Sequence, residues 1–239
     1  MSTKKVLTSL AAFTFALALG FAGFVWWKLQ PHLDPQPLPA ALIAHDSVEG
    51  KSLLEGADAR ADYQPLSDSF EHQSLVSFCG VASSVTVLNA MGRHLTQRTF
   101  FTDDTDTVRS RFQVTFGGMS LPDLAGLLEA HGTEVTFHHT ESFTLEEFRA
   151  ALETNLSNEG DFLLANYERE ALGQGRVGHI SPLAAYDRDT DKVLILDTAG
   201  HKYPPTWVPV ELLFSAMSTI DTSTGRTRGF VEVGEANVP

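Results

Sequence analysis

Cysteine is all but missing from this sequence. Cys79 stands alone among 239 residues, so no internal disulfide can staple the fold. Basic clusters are missing too. With 17 Lys and Arg against 30 Asp and Glu, the net charge is −13 and no cationic stripe exists to bind nucleic acid phosphates. An anionic small molecule must therefore be held by a few local cations against an unfavourable overall field. Metal-ligand spacing is also lacking: there is no CxxC and no Cys cluster, and His138 and His139 are adjacent, so on a strand they face opposite ways and chelate poorly. No dedicated metal site is expected. Internal repeats are absent, and the densest acidic cluster, Asp103, Asp104 and Asp106, reads as a solvated loop.

What is present begins with an apolar N-terminus. Lys4 and Lys5 precede 22 residues, Val6 to Trp27, without a charge, closed by Trp26, Trp27 and Lys28. That length suits a helix crossing ~30 Å of hydrocarbon and exceeds the apolar core of a cleavable signal. The leading lysines place the start in the cytoplasm and the tryptophans at the far interface. The expectation is a signal-anchor in residues 1–30, with the rest on the periplasmic side of the inner membrane; Ala16, Ala18, Gly20 and Ala22 leave a cleaved signal as the alternative. Prolines at 31, 35, 37 and 39 make 31–40 an extended spacer, and 41–239 suits a single domain.

Within that domain, helical signals come first. Residues 80–91 form a mostly apolar stretch stopped by Gly92. Ser120 caps a helix running to His131, with Pro122 in its first turn and Gly132 beyond its end. Thr144 and Glu147 form a capping box. Strands dominate later: 161–167, 179–186, 192–197 and 228–233, with 187–191 as a hairpin connection. Helices followed by an antiparallel sheet predict an α+β domain.

A lone thiol in an oxidising compartment is a liability unless buried or used. Cys79 falls at the start of the 80–91 helix, where the macrodipole favours an anion. His179 begins one strand and Asp197 ends its hairpin neighbour, so antiparallel pairing puts them at the same end of the sheet. His179 could take the thiol proton and deliver it to a leaving amine, with Asp197 fixing its tautomer. Gln73, six residues before Cys79, is a candidate oxyanion donor together with the Cys79 backbone N–H. Gly80 would leave room for a substrate backbone beside the nucleophile. These are the parts of a cysteine-nucleophile acyl-transfer site.

The order Gln-x5-Cys-Gly, Gly-His and strand-end Asp resembles the papain-like cysteine peptidases, with Asp where those enzymes usually carry Asn. From about Ala40 to Val233 the chain more closely resembles the phytochelatin synthase family in its short bacterial form. The matching stretches are residues 78–83, 87–89, 118–121, 178–186, 202–208 and 227–231. This resemblance implies a papain-like fold, with a helical part carrying the nucleophile packed on an antiparallel sheet carrying His and Asp. It implies a γ-glutamylcysteinyltransferase acting on glutathione, with Asp221 and Arg228 binding the amino and carboxylate groups of the γ-glutamyl moiety. No cofactor is implied, a heavy metal such as Cd entering as a glutathione thiolate complex. Short members are thought to dimerise, so a homodimer is implied as well. The cysteine-rich C-terminal region of eukaryotic members has no counterpart here, and the short forms are thought to favour hydrolysis over chain extension. The alternative is a papain-like peptidase or amidase acting on another small peptide.

Overall fold

The computed structural model describes the backbone of residues 3–236 and the side chains of 13–236. The helices in chain order are α1 (Thr3–Leu29), α2 (Val48–Gly56), α3 (Tyr63–Asp68), α4 (Cys79–Ala90), α5 (Asp103–Val108), α6 (Arg111–Gly117), α7 (Leu121–Glu129), α8 (Leu145–Leu156) and α9 (Val210–Met217). The strands are β1 (Ile43–Ala44), β2 (Thr133–His139), β3 (Phe162–Glu168), β4 (Gly178–Asp187), β5 (Lys192–Ile195), β6 (Thr206–Pro209), β7 (Ile220–Asp221), β8 (Arg226–Thr227) and β9 (Gly229–Glu235).

The expected capping residues do what their chemistry predicts. The side chains of Ser120 and Thr144 accept hydrogen bonds from the backbone N–H groups of Asp123 and Glu147, and both capping boxes close. The acidic run at 103–106 departs from expectation: it is the first turn of α5, not a loop. Thr102 caps that turn, and three carboxylates there complement the positive end of the helix dipole.

Seven strands form one antiparallel sheet in the order β1-β6-β5-β4-β3-β9-β2, with β4 at its centre. Both faces are covered. Alternate residues of β3 go to opposite sides: Leu164 joins α4 and α7 in one core, while Leu163 joins α8 and α9 in the other. Double burial explains why β3 and β4 read as unbroken apolar runs rather than alternating patterns. It also corrects the simple order of helices first and sheet later. Helices α8 and α9, from the second half, supply the second helical layer, and β2 reaches back to the far edge beside β9. The α+β class stands, with α4 packed on β4.

The N-terminal segment differs from a free spacer. Backbone bonds run from Asp34 N to His201 O at 2.9 Å, from Gln36 N to Lys202 O at 3.0 Å and from Val76 N to Leu29 O at 3.0 Å. Residues 31–40 therefore lie strapped along the domain, because a proline-rich chain still offers N–H groups between its prolines. The apolar run falls within α1, but its stretch 6–12 lies outside the described side chains. Among the described residues, no helix is long and apolar enough to cross a membrane.

Candidate active site

Helix α4 begins at Cys79, and its N-cap, Phe78, makes no side-chain capping bond. Its first N–H groups are thus left without a side-chain acceptor at the nucleophile. The helix is buried from Gly80 to Leu88, which overrides the weak helix preference of its valines and threonine. Its first turn is fixed to the sheet by Ser83, whose hydroxyl lies 2.8 Å from the Cys79 carbonyl and 3.0 Å from the Ile180 carbonyl. This clamp sets the spacing between Cys79 and His179.

The thiol is only partly buried and forms a wall of a cleft of about 390 Å³, shared with His179, Met119, Asn166, Asp221 and Arg228. His179 stands near the start of β4, edge-on to the ring of its cross-strand partner Tyr167. Its Nε2 lies 3.0 Å from Asp197 Oδ1, which leaves Nδ1 for the thiol. Asp197 is two residues past the end of β5, and its Oδ1 also accepts from Ala199 N at 2.8 Å and Arg169 Nη2 at 2.6 Å.

These contacts set the protonation states. Burial pushes the Cys79 thiol up, but His179 and the backbone N–H groups of Ile180 and Gly80 outweigh it, and the net shift is down. Burial and Arg169 pull His179 down, while Asp197 and the Cys79 thiolate pull it up further, so it ends above its ordinary value. Burial would raise Asp197, yet Arg169 and His179 hold it well below the carboxylate range. Both shifts favour the thiolate and imidazolium forms of the pair. A cysteine whose pKa is lowered keeps its anion to lower pH, so iodoacetamide alkylation of Cys79 should reach half its plateau rate below the pH seen for free cysteine. Alkylation that tracks free cysteine, or lags it, would contradict the ion pair.

Asp221 and Arg228 line the same cleft. Arg228 donates from Nη1 to Asn166 Oδ1 and from Nη2 to Glu168 Oε2, each at 3.1 Å, and Nη1 stands 3.7 Å from Asp221 Oδ2. Gly178 makes space for this guanidinium: a Cβ there would sit 2.7 Å from Arg228 Nη1.

Two expectations change. The Gln73 amide donates to the carbonyls of Leu75 at 3.1 Å and Val76 at 3.0 Å, so both N–H groups are committed and its side chain is not a free oxyanion donor. The space beside Gly80 is filled by the Met119 side chain, so that glycine admits a thioether and not a substrate backbone. The adjacent histidines hold no ligand-like geometry: His138 stacks on Phe230 and reaches Glu232, while His139 Nδ1 lies against the Thr227 carbonyl. Sequence reasoning missed Arg169, Asn166, Glu168, Ser83 and Met119. Asn166 carried a signal, being polar inside the apolar run 162–167. Arg169, in a Glu-Arg-Glu triplet, carried no local signal of burial.

A helix start bearing a thiol, an imidazole on the central strand and a buried carboxylate make up a constellation suited to cysteine-nucleophile acyl transfer, on an α+β scaffold. The chain belongs to the phytochelatin synthase family, whose profile, described as "Phytochelatin synthase", matches residues 33–230. It is 33% identical over 208 residues to "Glutathione gamma-glutamylcysteinyltransferase 3" of Lotus japonicus, covering 83% of this chain and 43% of that protein. The corresponding enzyme 1 of Arabidopsis thaliana is 34% identical, with 82% and 42% covered. "Glutathione gamma-glutamylcysteinyltransferase" of Schizosaccharomyces pombe is 28% identical, with 89% and 53% covered. The chain thus spans about half the length of these relatives or less. Among solved structures, xylellain, a cysteine protease from Xylella fastidiosa, aligns with a TM-score of 0.45 at 9% identity, covering 88% of this chain and 97% of that one.

Proposed function

We propose that this protein cleaves the Cys–Gly amide of glutathione as a γ-glutamylcysteinyltransferase. Cys79 attacks the carbonyl, the imidazolium of His179 delivers its proton to the departing glycine amine, and γ-Glu-Cys remains as a thioester on Cys79. Water or the α-amino group of a second glutathione then receives the acyl group, with His179 acting as base and Cys79 leaving as thiolate. Asp197 holds the imidazole, and the Cys79 backbone N–H contributes to the oxyanion site.

The observation that carries this reading is the cluster of charges lining the cleft. Arg228, Glu168 and Asp221 together hold one positive and two negative charges within a few ångströms. Such a cluster suits a zwitterion: a carboxylate on the Arg228 face and an ammonium beside Asp221. The γ-glutamyl end of glutathione bears that pair of groups. Arg228→Ala should therefore raise KM for glutathione on the order of 10- to 100-fold, with kcat falling less; an unchanged KM would remove Arg228 from the binding site.

Mass spectrometry of the purified protein incubated with glutathione, with and without Cd²⁺, tests the whole scheme. Released glycine and a γ-Glu-Cys adduct on Cys79 are expected. Turnover of longer peptides, with none of glutathione, would favour a papain-like peptidase instead. Among the described residues, no group of three or more His, Cys, Asp or Glu side chains could hold a metal ion. In this reading a heavy metal enters as part of the substrate, a glutathione thiolate complex.

The proposal extends to location. The uncharged run Val6 to Trp27, with Lys4 and Lys5 before it and Lys28 after it, supports an N-terminal anchor holding the domain on the periplasmic side. Extraction of the full-length protein from membranes by carbonate, with no detergent, would refute the anchor.

A further inference from the structure

Arg169 is the least expected residue near the reacting atoms. Its side chain and that of Asp197 are only 2% and 4% exposed, and their ion pair is 2.6 Å long. Nη1 of Arg169 binds Gln174 Oε1 at 2.5 Å, and the guanidinium carbon lies 5.1 Å from the centre of the Tyr203 ring. Among the described residues, Asp197 is the one carboxylate within ion-pair distance of Arg169. The same oxygen of Asp197 receives both Arg169 and His179.

We infer that Arg169 is a positioning residue that sets the proton affinity of the Cys79–His179 pair by cancelling the charge of Asp197. An isolated buried carboxylate would bind the imidazolium tightly. The imidazolium would become a weak acid and release its proton to a leaving amine slowly, and the thiolate, facing the same uncompensated negative charge, would form only at higher pH. With Arg169 in place, the Asp197–Arg169 unit is neutral overall yet still presents an oxygen to His179 Nε2. It orients the ring without trapping the proton. A buried pair that stabilised the fold alone would need no oxygen shared with the histidine.

Other titratable groups facing this cluster do not supply the balancing charge. Burial holds the Tyr167 phenol well above its ordinary value, so it stays neutral. Burial also lowers His201, with Lys202 lowering it further and Asp197 opposing, which favours its neutral form. Arg228, beside Gly178, faces both Glu168 at 3.1 Å and Asp221 at 3.7 Å, so that cluster is net negative and supplies no cation to Asp197. Cys79 itself is the remaining anion, and it belongs to the pair being tuned.

This inference rests on the acyl-transfer reading of Cys79 and His179, but its test needs no substrate. On the full-length protein, the pH dependence of Cys79 alkylation by iodoacetamide reports thiolate formation, and NMR of the His179 ring reports loss of the imidazolium proton. Arg169→Gln keeps a donor and removes a charge; both midpoints should rise by at least about one pH unit. Arg169→Lys should stay near the wild type. Asp197→Asn leaves Arg169 unbalanced, so both midpoints should fall. In Arg169→Gln/Asp197→Asn no net charge remains, and both midpoints should return to within about half a unit of wild type. If Arg169→Gln does not fold, the comparison of Asp197→Asn with the double variant carries the same test. Midpoints that ignore residue 169 in either background would overturn the inference, whatever happens to stability. Failure of the wild type to release glycine from glutathione would sink the substrate assignment and leave these midpoints standing.

Discussion

Cys79→Ser is expected to abolish the γ-Glu-Cys adduct and lower glycine release from glutathione on the order of 10³-fold or more. The site is tuned to a thiol. Its proton acceptor, His179, is shifted toward the protonated form, because Asp197 and the thiolate together outweigh burial and Arg169. A serine hydroxyl has a far higher pKa than a thiol, so the same surroundings would leave it protonated. The helix start at Cys79 and the N–H groups of Ile180 and Gly80 stabilise an anion already formed; they do not remove a proton from an alcohol. Ser and Cys are close in size, and the residue is only partly buried, so the fold should survive. Measurement is direct: intact-protein mass after incubation with glutathione, alongside a glycine assay. A serine variant that still forms a stable adduct would place the nucleophile elsewhere.

Trp207→Ala should produce the largest loss of stability, about 3–5 kcal/mol. Trp207 is fully buried on β6, paired with Ile43 of β1 on one side and Leu194 of β5 on the other. Its indole N–H donates to the Gly50 carbonyl at 3.0 Å, tying α2 to the sheet. Truncation removes the largest buried side chain and leaves that carbonyl without a donor. Trp207→Phe keeps most of the packing and loses the hydrogen bond, so it should cost about 1–3 kcal/mol. Urea unfolding followed by circular dichroism separates the two variants. Equal midpoints for both would mean that ring packing contributes little, contrary to the burial. The result bears on the segment 202–208, which carried part of the family resemblance. Its conspicuous residues are structural: Trp207 fills the core, and Tyr203 lies beneath Arg169.

Much of the site was legible before any coordinates. A helix beginning at Cys79, a strand beginning near His179 and a carboxylate at the end of the next strand are each local patterns, and pairing within one hairpin brings the last two together. Helix caps at Ser120 and Thr144 were equally plain, since a cap is decided by residues three positions apart. Less legible were the features that depend on distant partners. The role of Gln73 turned on the nearby carbonyls of Leu75 and Val76, which only a folded loop presents to it. The space at Gly80 turned on Met119, 39 residues on. Acidic residues at 103–106 formed a helix turn because Thr102 capped it, against the reading of charge density as loop.

By itself the sequence determined the thiol, the imidazole and the carboxylate, their order along the chain and the local elements that bear them. Hydrophobic period, capping chemistry and the rarity of cysteine are short-range or compositional properties. Tertiary structure alone decided how those groups are charged. Burial of Asp197 beside Arg169, 28 residues away, and the clamp of Ser83 on Ile180, 97 residues away, arise from packing between elements. Proton affinity depends on what surrounds a group within a few ångströms, and no local pattern in the chain states which distant residue will stand there.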